Sequence, residues 1–302
     1  MIVHSEPKST VIMQFDYLKD RLTQYARLVR ADKPIGALLL MWPMLWTLWI
    51  VSAGQPDLLV FVVFVTGTFM MRSAGCAIND YADRHIDGAV DRSKDRPIVS
   101  GRVTPKEALM VAAILALLSF FLVLTMNRLT IAMSFIGVVL AAVYPFSKRI
   151  TYWPQLVLGL AFGWAVPMVN AAQTGTVSGI GWTVFLAAML WALAYDTIYA
   201  MVDRDDDLKL GVKSTAIRFG RFDVIAVAVT LLSVLMLLVF IGLHLSFGAI
   251  YFCGVGVGAL VVVRQLWLIK NRDRNLCFQA FMLSNFMGLF VFIGLVLHFL
   301  QN

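Results

Sequence analysis

Nine apolar runs, each about as long as a membrane-spanning helix, dominate this 302-residue chain. They lie at approximately 34–53, 58–78, 107–125, 130–146, 155–171, 180–200, 222–243, 247–269 and 280–299. About 20 apolar residues in a helix cross the hydrocarbon core of a bilayer, so each run predicts one transmembrane helix. Composition agrees, because 60% of the residues are hydrophobic and only 14% are charged. We therefore predict an all-α membrane protein with about nine transmembrane helices.

The positions of Lys and Arg predict the orientation of these helices. Basic residues concentrate before the first run and after the second, fourth, sixth and eighth runs, whereas the intervening loops carry almost none. The positive-inside rule places the basic loops and the N-terminus in the cytoplasm. Orientation accounts for the net charge of +7, and since the chain shows no nucleic-acid-binding motif, we expect no nucleic-acid partner.

The chain divides into two parts at the start of the first run. Residues 1–33 are polar and basic, with apolar residues at helical spacing, as in an amphipathic helix at a membrane interface. We predict a cytoplasmic amphipathic N-terminal segment, 1–33, followed by a polytopic membrane domain, 34–302. The apolar face of the N-terminal segment could lie along the membrane surface or cover a cavity.

A polar motif, Asn79-Asp-x-x-Asp83-x-x-x-Asp87, ends the second run and opens a charged loop. If the helix continues through the motif, Asn79, Asp83 and Asp87 share one face, while Asp80 points about 100° away. Ionised side chains stacked in this way repel one another, and a hard divalent cation removes the repulsion. The alternative interpretation of this motif alone is a polar helix end that faces water.

A second acidic cluster ends the sixth run. Asp196, Asp203 and Asp207 are spaced i, i+7 and i+11, which again places them on one helix face. The two clusters lie four helices apart on the same side, so we predict two similar four-helix halves plus a final helix. Mg²⁺ usually binds one or two carboxylates together with substrate phosphate oxygens. The paired clusters therefore predict a site for a diphosphate.

Basic residues near both clusters are candidates to bind that diphosphate. They are Lys148 and Arg149 after the fourth run, and Lys213 or Arg218 beyond the second cluster. The alternative for each is an anchor that obeys the positive-inside rule.

Arg72 differs from these cations because it lies inside the second run, about two helical turns before Asn79 and on the same face. An intramembrane arginine costs at least about 2.5–3.5 kcal/mol, so it should have an anionic partner. A substrate carboxylate or a buried acid such as Asp196 would serve, and a purely structural ion pair is the alternative. An amphiphilic diphosphate with an isoprenoid tail fits the arrangement as a whole.

These motifs resemble the two aspartate-rich motifs of the UbiA-type membrane prenyltransferases. More closely, several segments resemble the bacterial 4-hydroxybenzoate polyprenyltransferases of ubiquinone synthesis, and the resemblance runs from about residue 27 to the end of the chain. The segments that carry it are 30–36, 42–43, 71–76, 79–84, 96–97, 144–146 and 203–207.

The resemblance implies a fold whose helices ring a central cavity that opens partly toward lipid. It implies transfer of a polyprenyl group from polyprenyl diphosphate to carbon 3 of 4-hydroxybenzoate, with release of diphosphate, at the bacterial cell inner membrane. The expected partners are these two substrates and the lipid bilayer, and no obligate protein partner is evident. The implied cofactor is Mg²⁺, and its predicted ligands are Asn79, Asp83, Asp87, Asp203 and Asp207.

The resemblance also implies roles for the remaining candidates. Lys148, with other loop cations such as Arg149 and Lys213, would stabilise the negative charge that develops on the diphosphate. Arg72 would hold the benzoate carboxylate, for which a guanidinium is well shaped. Asp196 would bind the acceptor hydroxyl or take the ring proton, and Asn79 would also contact substrate.

Three other functions compete with this interpretation. The same fold could use another acceptor, such as a dihydroxynaphthoate, homogentisate or haem. A cation transporter could pass a divalent ion between acidic helix ends, but transporters tend to place such groups near the bilayer midplane. A CDP-alcohol phosphotransferase also has aspartate-rich motifs, but residues 87–92 break that family's pattern.

Overall fold

The computed structural model describes residues 8–85, 87–89 and 93–301. Within these ranges the chain forms helices and turns and contains no β-strand. Residues 1–7 of the predicted N-terminal segment and Arg92 of the basic loop lie outside the described residues. The helices are α1 (Lys8–Leu28), α2 (Ile35–Val51), α3 (Leu58–Asp83), α4 (Pro105–Val123), α5 (Arg128–Ile150), α6 (Pro154–Gly163), α7 (Ala165–Thr174), α8 (Gly179–Leu210), α9 (Thr215–Phe219), α10 (Asp223–His244), α11 (Ala249–Ile269) and α12 (Arg274–Gln301).

The predicted all-α membrane fold is confirmed. Eight helical segments of the described chain are long and apolar enough to cross a membrane, and α2 is a shorter apolar helix of 17 residues. The fifth predicted run forms two helices, α6 and α7, which meet at Trp164. Pro167 explains the break, because its ring has no N–H to donate to the carbonyl of Gly163 and clashes with that carbonyl.

Three helices pack at the centre of the bundle around two tryptophans. The rings of Trp46 on α2 and Trp191 on α8 stack with their centroids 5.4 Å apart. The indole N–H of Trp46 donates to the carbonyl of Gly288 on α12, at 3.1 Å. A side chain at position 288 would collide with Trp191 and Trp42, so glycine is required for this close approach of α12. The core thus holds α2, α8 and α12 in fixed register.

Two helices extend past their apolar runs into the polar end of the bundle. Helix α3 continues to Asp83, and α8 has 32 residues, or about 48 Å of helix. Gly211 ends α8 in a left-handed conformation, with φ of 69°. The chain then turns back, and the N–H of Lys213 donates to the carbonyl of Lys148 at 3.1 Å. This loop brings the end of α8 against the end of α5.

The N-terminal helix lies against the same end of the bundle. Leu28 is fully buried in a small core that includes Ala74 and Ala77 of α3. Arg21 forms an ion pair with Glu107 at the start of α4. Apolar side chains on another part of α1, such as Phe15 at 74% exposure, have no protein cover. This combination fits an interfacial helix, which stays a prediction.

Candidate active site

The end of α3 departs from the predicted continuous helix. Asn79 and Asp83 lie one turn apart, and the Asn79 amide donates to Asp83 at 3.2 Å. The helix ends at Asp83, however, and Asp87 begins a separate 3-10 helix of three residues. The condition for a single shared helix face, that the helix continues through the motif, is therefore not met for Asp87. Residues that follow Asp87 in the chain hold it in place. The Ser93 hydroxyl donates to its backbone carbonyl at 2.9 Å, and Arg96 pairs with its carboxylate.

A cavity of about 160 Å³ lies where the ends of α3, α5 and α8 meet. Eight of the eleven candidate residues line it, including members of both acidic clusters. They are Asn79, Asp83, Asp87, Lys148, Asp196, Asp203, Asp207 and Lys213. The fold therefore brings together two carboxylate clusters that are more than 100 residues apart in sequence, with lysines beside them.

Three candidate residues do not line this cavity, and one of them, Arg218, is exposed on α9. Arg149 is exposed, and its guanidinium donates to the carbonyl of Ala82. Arg72 lies deeper along α3, where it donates to the thiol of Cys76 and sits 5.9 Å from the centroid of the Phe162 ring. None of the described carboxylates forms an ion pair with Arg72, and its Nε atom is buried without a hydrogen-bond partner among the described residues.

Cations of the protein compensate the acids of the first cluster. Lys148 forms an ion pair with Oδ2 of Asp83, while Oδ1 of Asp83 is buried with no hydrogen-bond partner among the described residues. Burial raises the pKa of the Asp87 carboxyl above its usual range, although the neighbouring Arg96 opposes that rise. The first cluster is thus a partly desolvated anionic surface with one unsatisfied oxygen.

The donor set fits Mg²⁺ that is shared with a substrate. In the part of the chain that the structure describes, no three His, Cys, Asp or Glu side chains converge closely enough to bind an ion by themselves. Five aspartates and Asn79 nevertheless line one cavity, and the unsatisfied Oδ1 of Asp83 is available as a ligand. Mg²⁺ keeps several non-protein ligands and commonly takes phosphate oxygens among them.

Several cavity residues were not among the predicted site residues. Arg96 and Tyr144 are among them, and Arg96 forms an ion pair with the carboxylate of Asp87. Tyr144 lies one turn before Lys148, so helical spacing from that lysine could have identified it. Ser93, Gln155, Tyr199 and Ser214 also line the cavity, and no spacing from the acidic motifs indicates the first two.

The remaining acids near the motifs do not line the cavity. Asp205 is exposed, and Asp206 pairs with Arg274 at 3.0 Å. Asp80, which is only 1% exposed, points away from the cavity toward two arginines. Arg30 contacts it at 2.8 Å and Arg96 at 3.1 Å. Asp80 thus connects the end of the N-terminal segment to the guanidinium that touches Asp87.

Removing the carboxylate of Asp80 is expected to destabilise the fold. In Asp80→Ala, two partly buried guanidinium groups lose their shared counter-ion, and loss of one partner of a buried ion pair costs about 3 kcal/mol or more. The thermal unfolding midpoint in detergent should fall clearly below that of the wild type. Asp205→Ala removes an exposed carboxylate and serves as the matched control. Equal midpoints for the two variants would contradict this account of Asp80.

Comparison with known proteins places this architecture in a family. The model of the UbiA prenyltransferase family matches residues 40–291. A 4-hydroxybenzoate octaprenyltransferase of Alkalilimnicola ehrlichii is 54% identical over 94% of this chain and 97% of its own length. The protein of the same name from Aeromonas salmonicida is 55% identical over 93% of this chain and 98% of its own.

Solved structures show the same fold at lower identity. An apo UbiA homologue from Aeropyrum pernix K1 superposes with a TM-score of 0.77 at 24% identity, over 86% of this chain and 97% of that one. A UbiA homologue from Archaeoglobus fulgidus bound to GPP and Mg²⁺ superposes with a TM-score of 0.68 at 18% identity, over 90% and 99% of the two chains. The chain belongs to the UbiA prenyltransferase family.

Proposed function

We propose that this protein transfers a polyprenyl group from polyprenyl diphosphate to carbon 3 of 4-hydroxybenzoate and releases diphosphate. The observation that carries the proposal is the cavity in which two carboxylate clusters meet beside Lys148, Lys213 and Arg96. Relatives named 4-hydroxybenzoate octaprenyltransferase, more than 50% identical over nearly the whole chain, support the choice of acceptor.

The carboxylate end of the cavity is suited to the diphosphate of the donor. Asn79, Asp83 and Asp87 from the first half, with Asp203 and Asp207 from the second, would hold Mg²⁺ together with the diphosphate oxygens. When bound, the metal supplies positive charge that stabilises the leaving diphosphate as the allylic C–O bond breaks. A relative of the same fold was solved with both GPP and Mg²⁺, which supports this assignment.

Lys148 and Arg96 would act on the same leaving group. Each now pairs with a carboxylate of the first cluster, Lys148 with Asp83 and Arg96 with Asp87. A diphosphate that enters the cavity offers these cations new anionic oxygens, so both can donate to it where the negative charge develops.

The acceptor would lie deeper, between Asp196 and Arg72. The guanidinium of Arg72 has no carboxylate partner among the described residues, and a benzoate carboxylate would supply one. The carbon ortho to the acceptor hydroxyl forms the new C–C bond with the allylic carbon, and the ring proton then leaves to a base. Asp196 lines the cavity on the second cluster's helix and is our candidate for that base.

The walls of the site and its orientation in the membrane also fit the proposal. Apolar helix walls exclude water, which protects an electron-deficient allylic carbon from hydrolysis. The isoprenoid tail would extend among the apolar helices toward lipid. We place the N-terminus and the carboxylate end in the cytoplasm, with the protein in a bacterial inner membrane, because the basic loops lie at that end.

The direct test is prenylation of radiolabelled 4-hydroxybenzoate by purified protein in detergent, with geranyl diphosphate as donor. We expect a product substituted at carbon 3 that forms with Mg²⁺ and disappears with EDTA, because the diphosphate is a poor leaving group without positive charge around it. Nuclear magnetic resonance of the product identifies the substituted carbon.

Each part of the proposal has its own contradicting result. Full activity in EDTA would exclude the metal. Prenylation of another aromatic acid in place of 4-hydroxybenzoate would exclude the proposed acceptor while leaving the prenyltransferase activity in place. Boiled protein and reactions without donor control for chemical prenylation.

A further inference from the structure

The guanidinium of Arg72 lies against α2 at a position that has no side chain. A Cβ atom built on Gly36 would lie 2.6 Å from both Nε and one terminal nitrogen of Arg72, and 2.9 Å from the carbon between them. Ordinary contact begins at about 3.4 Å, so no larger residue fits while Arg72 keeps its place. Gly36 therefore creates the space that the guanidinium occupies.

The other contacts of Arg72 fix the guanidinium from the opposite direction. One terminal nitrogen donates to the thiol of Cys76, one turn along the same helix. The Phe162 ring of α6 lies 5.9 Å from the central carbon of the guanidinium. The group is thus held between α2, α3 and α6, and its buried Nε faces α2 without a hydrogen-bond acceptor among the described residues.

These distances also indicate which edge of the guanidinium can take a ligand. The Cβ position at residue 36 is equally far from Nε and one terminal nitrogen of Arg72 and farther from the carbon between them. It therefore lies beyond the edge of the guanidinium that joins those two nitrogens. Gly36 therefore covers that edge with backbone. The edge formed by the two terminal nitrogens remains for a carboxylate with two parallel hydrogen bonds, because the nitrogen that donates to Cys76 carries a second N–H.

We infer that Gly36 is a specificity-determining residue for the acceptor, because it sets where Arg72 presents this edge to an aromatic carboxylate. The inference rests on the proposed function. In Gly36→Ala the distance from the new Cβ to the two nitrogens of Arg72 must increase from 2.6 Å to about 3.4 Å. The arginine side chain can make this shift because its end is flexible. The position at which Arg72 binds the acceptor carboxylate should therefore shift, while the helices stay in place.

The test compares Gly36→Ala with Gly67→Ala, a control on α3 where an added Cβ meets nothing within 4 Å. A displacement near 1 Å at a reacting centre can cost about 10²-fold. We expect a rise of about 10-fold to 10²-fold in the KM for 4-hydroxybenzoate in Gly36→Ala, with an unchanged KM for geranyl diphosphate and an unchanged unfolding midpoint. Equilibrium dialysis of radiolabelled 4-hydroxybenzoate without donor should show the same loss of affinity. Gly67→Ala should match the wild type in every measurement.

A double variant separates a role through Arg72 from a general structural role. In an Arg72→Met background, Gly36→Ala should have no further effect on acceptor affinity, because the group it displaces is gone. An unchanged KM for 4-hydroxybenzoate in Gly36→Ala, a further loss in the double variant, or unfolding of Gly36→Ala while Gly67→Ala folds would each overturn the inference. Failure of the wild type to prenylate 4-hydroxybenzoate would instead refute the proposed function.

Discussion

Asp83→Asn is expected to lower the rate of prenyl transfer by at least about 10²-fold while leaving the protein folded. Residues that merely support metal ligands are worth 10-fold to 10²-fold, so a direct ligand should be worth at least as much. Asp83 is placed for that role because it lines the cavity and has a buried oxygen with no hydrogen-bond partner among the described residues. Transfer from geranyl diphosphate to radiolabelled 4-hydroxybenzoate measures the loss.

The same substitution should change stability much less than activity. Asparagine keeps the shape of the side chain and removes a buried charge with one unsatisfied oxygen, which offsets the loss of the ion pair with Lys148, whose side chain is 27% exposed and can reach water. A thermal unfolding midpoint near that of the wild type, together with lost activity, would show that Asp83 is retained for function. Asp205→Asn removes an exposed charge outside the cavity and should preserve activity. Activity near the wild-type level in Asp83→Asn would contradict the proposed metal site.

Arg72→Met is expected to reduce kcat/KM for 4-hydroxybenzoate by about 30-fold or more. Truncating one partner of a buried, hydrogen-bonded charge pair costs about 2–5 kcal/mol, and the shorter apolar side chain supplies no substitute for the guanidinium. The loss should be specific to the carboxylate. Methyl 4-hydroxybenzoate, which has the same ring without the charge, therefore provides the comparison.

The ratio of kcat/KM for acid and ester is the decisive measurement. The wild type should favour the acid, and this preference should disappear in Arg72→Met because the two acceptors then meet the same neutral wall. Arg128→Met, which removes an exposed arginine at the start of α5, should retain the wild-type ratio. A preference for the acid that survives in Arg72→Met would show that another group binds the carboxylate.

The transmembrane helices could be predicted from the sequence because their determinant is local. A run of about 20 apolar residues specifies a membrane helix wherever it occurs, and the observed spans follow the predicted runs closely. The break at Trp164 was not predicted, although Pro167 was visible, because proline within a membrane helix is often tolerated. Membrane burial conceals this kind of local signal.

The candidate site was predictable only where helical spacing links its residues. Asn79 and Asp83 follow from i, i+4 spacing, and Asp203 and Asp207 follow from the same rule. Asp87 lines the same cavity but lies on a separate 3-10 helix, because its position depends on Ser93 and Arg96, which follow it in the chain. Such contacts require the folded structure.

Long-range charge pairing was the least visible part of the site. The ion pair between Arg30 and Asp80 joins positions that are 50 residues apart, and no periodicity connects them. Spacing alone indicated only that Asp80 points away from the other acids. Its partners, Arg30 of the N-terminal segment and Arg96 of the loop before α4, converge on it only in the folded chain.

The length of α8 has a consequence for how the two substrates meet. Asp196 and Asp207 are separated by about 16 Å along the helix axis, so the acids of the second cluster extend over about three turns of α8 toward its C-terminal end. A polyprenyl donor diffuses in the two dimensions of the bilayer, and its effective concentration is its mole fraction among lipids. A small aromatic acid arrives from the bulk water, and its effective concentration is the amount per volume of water. Diluting the membrane with inert lipid is thus expected to lower donor occupancy without changing acceptor supply.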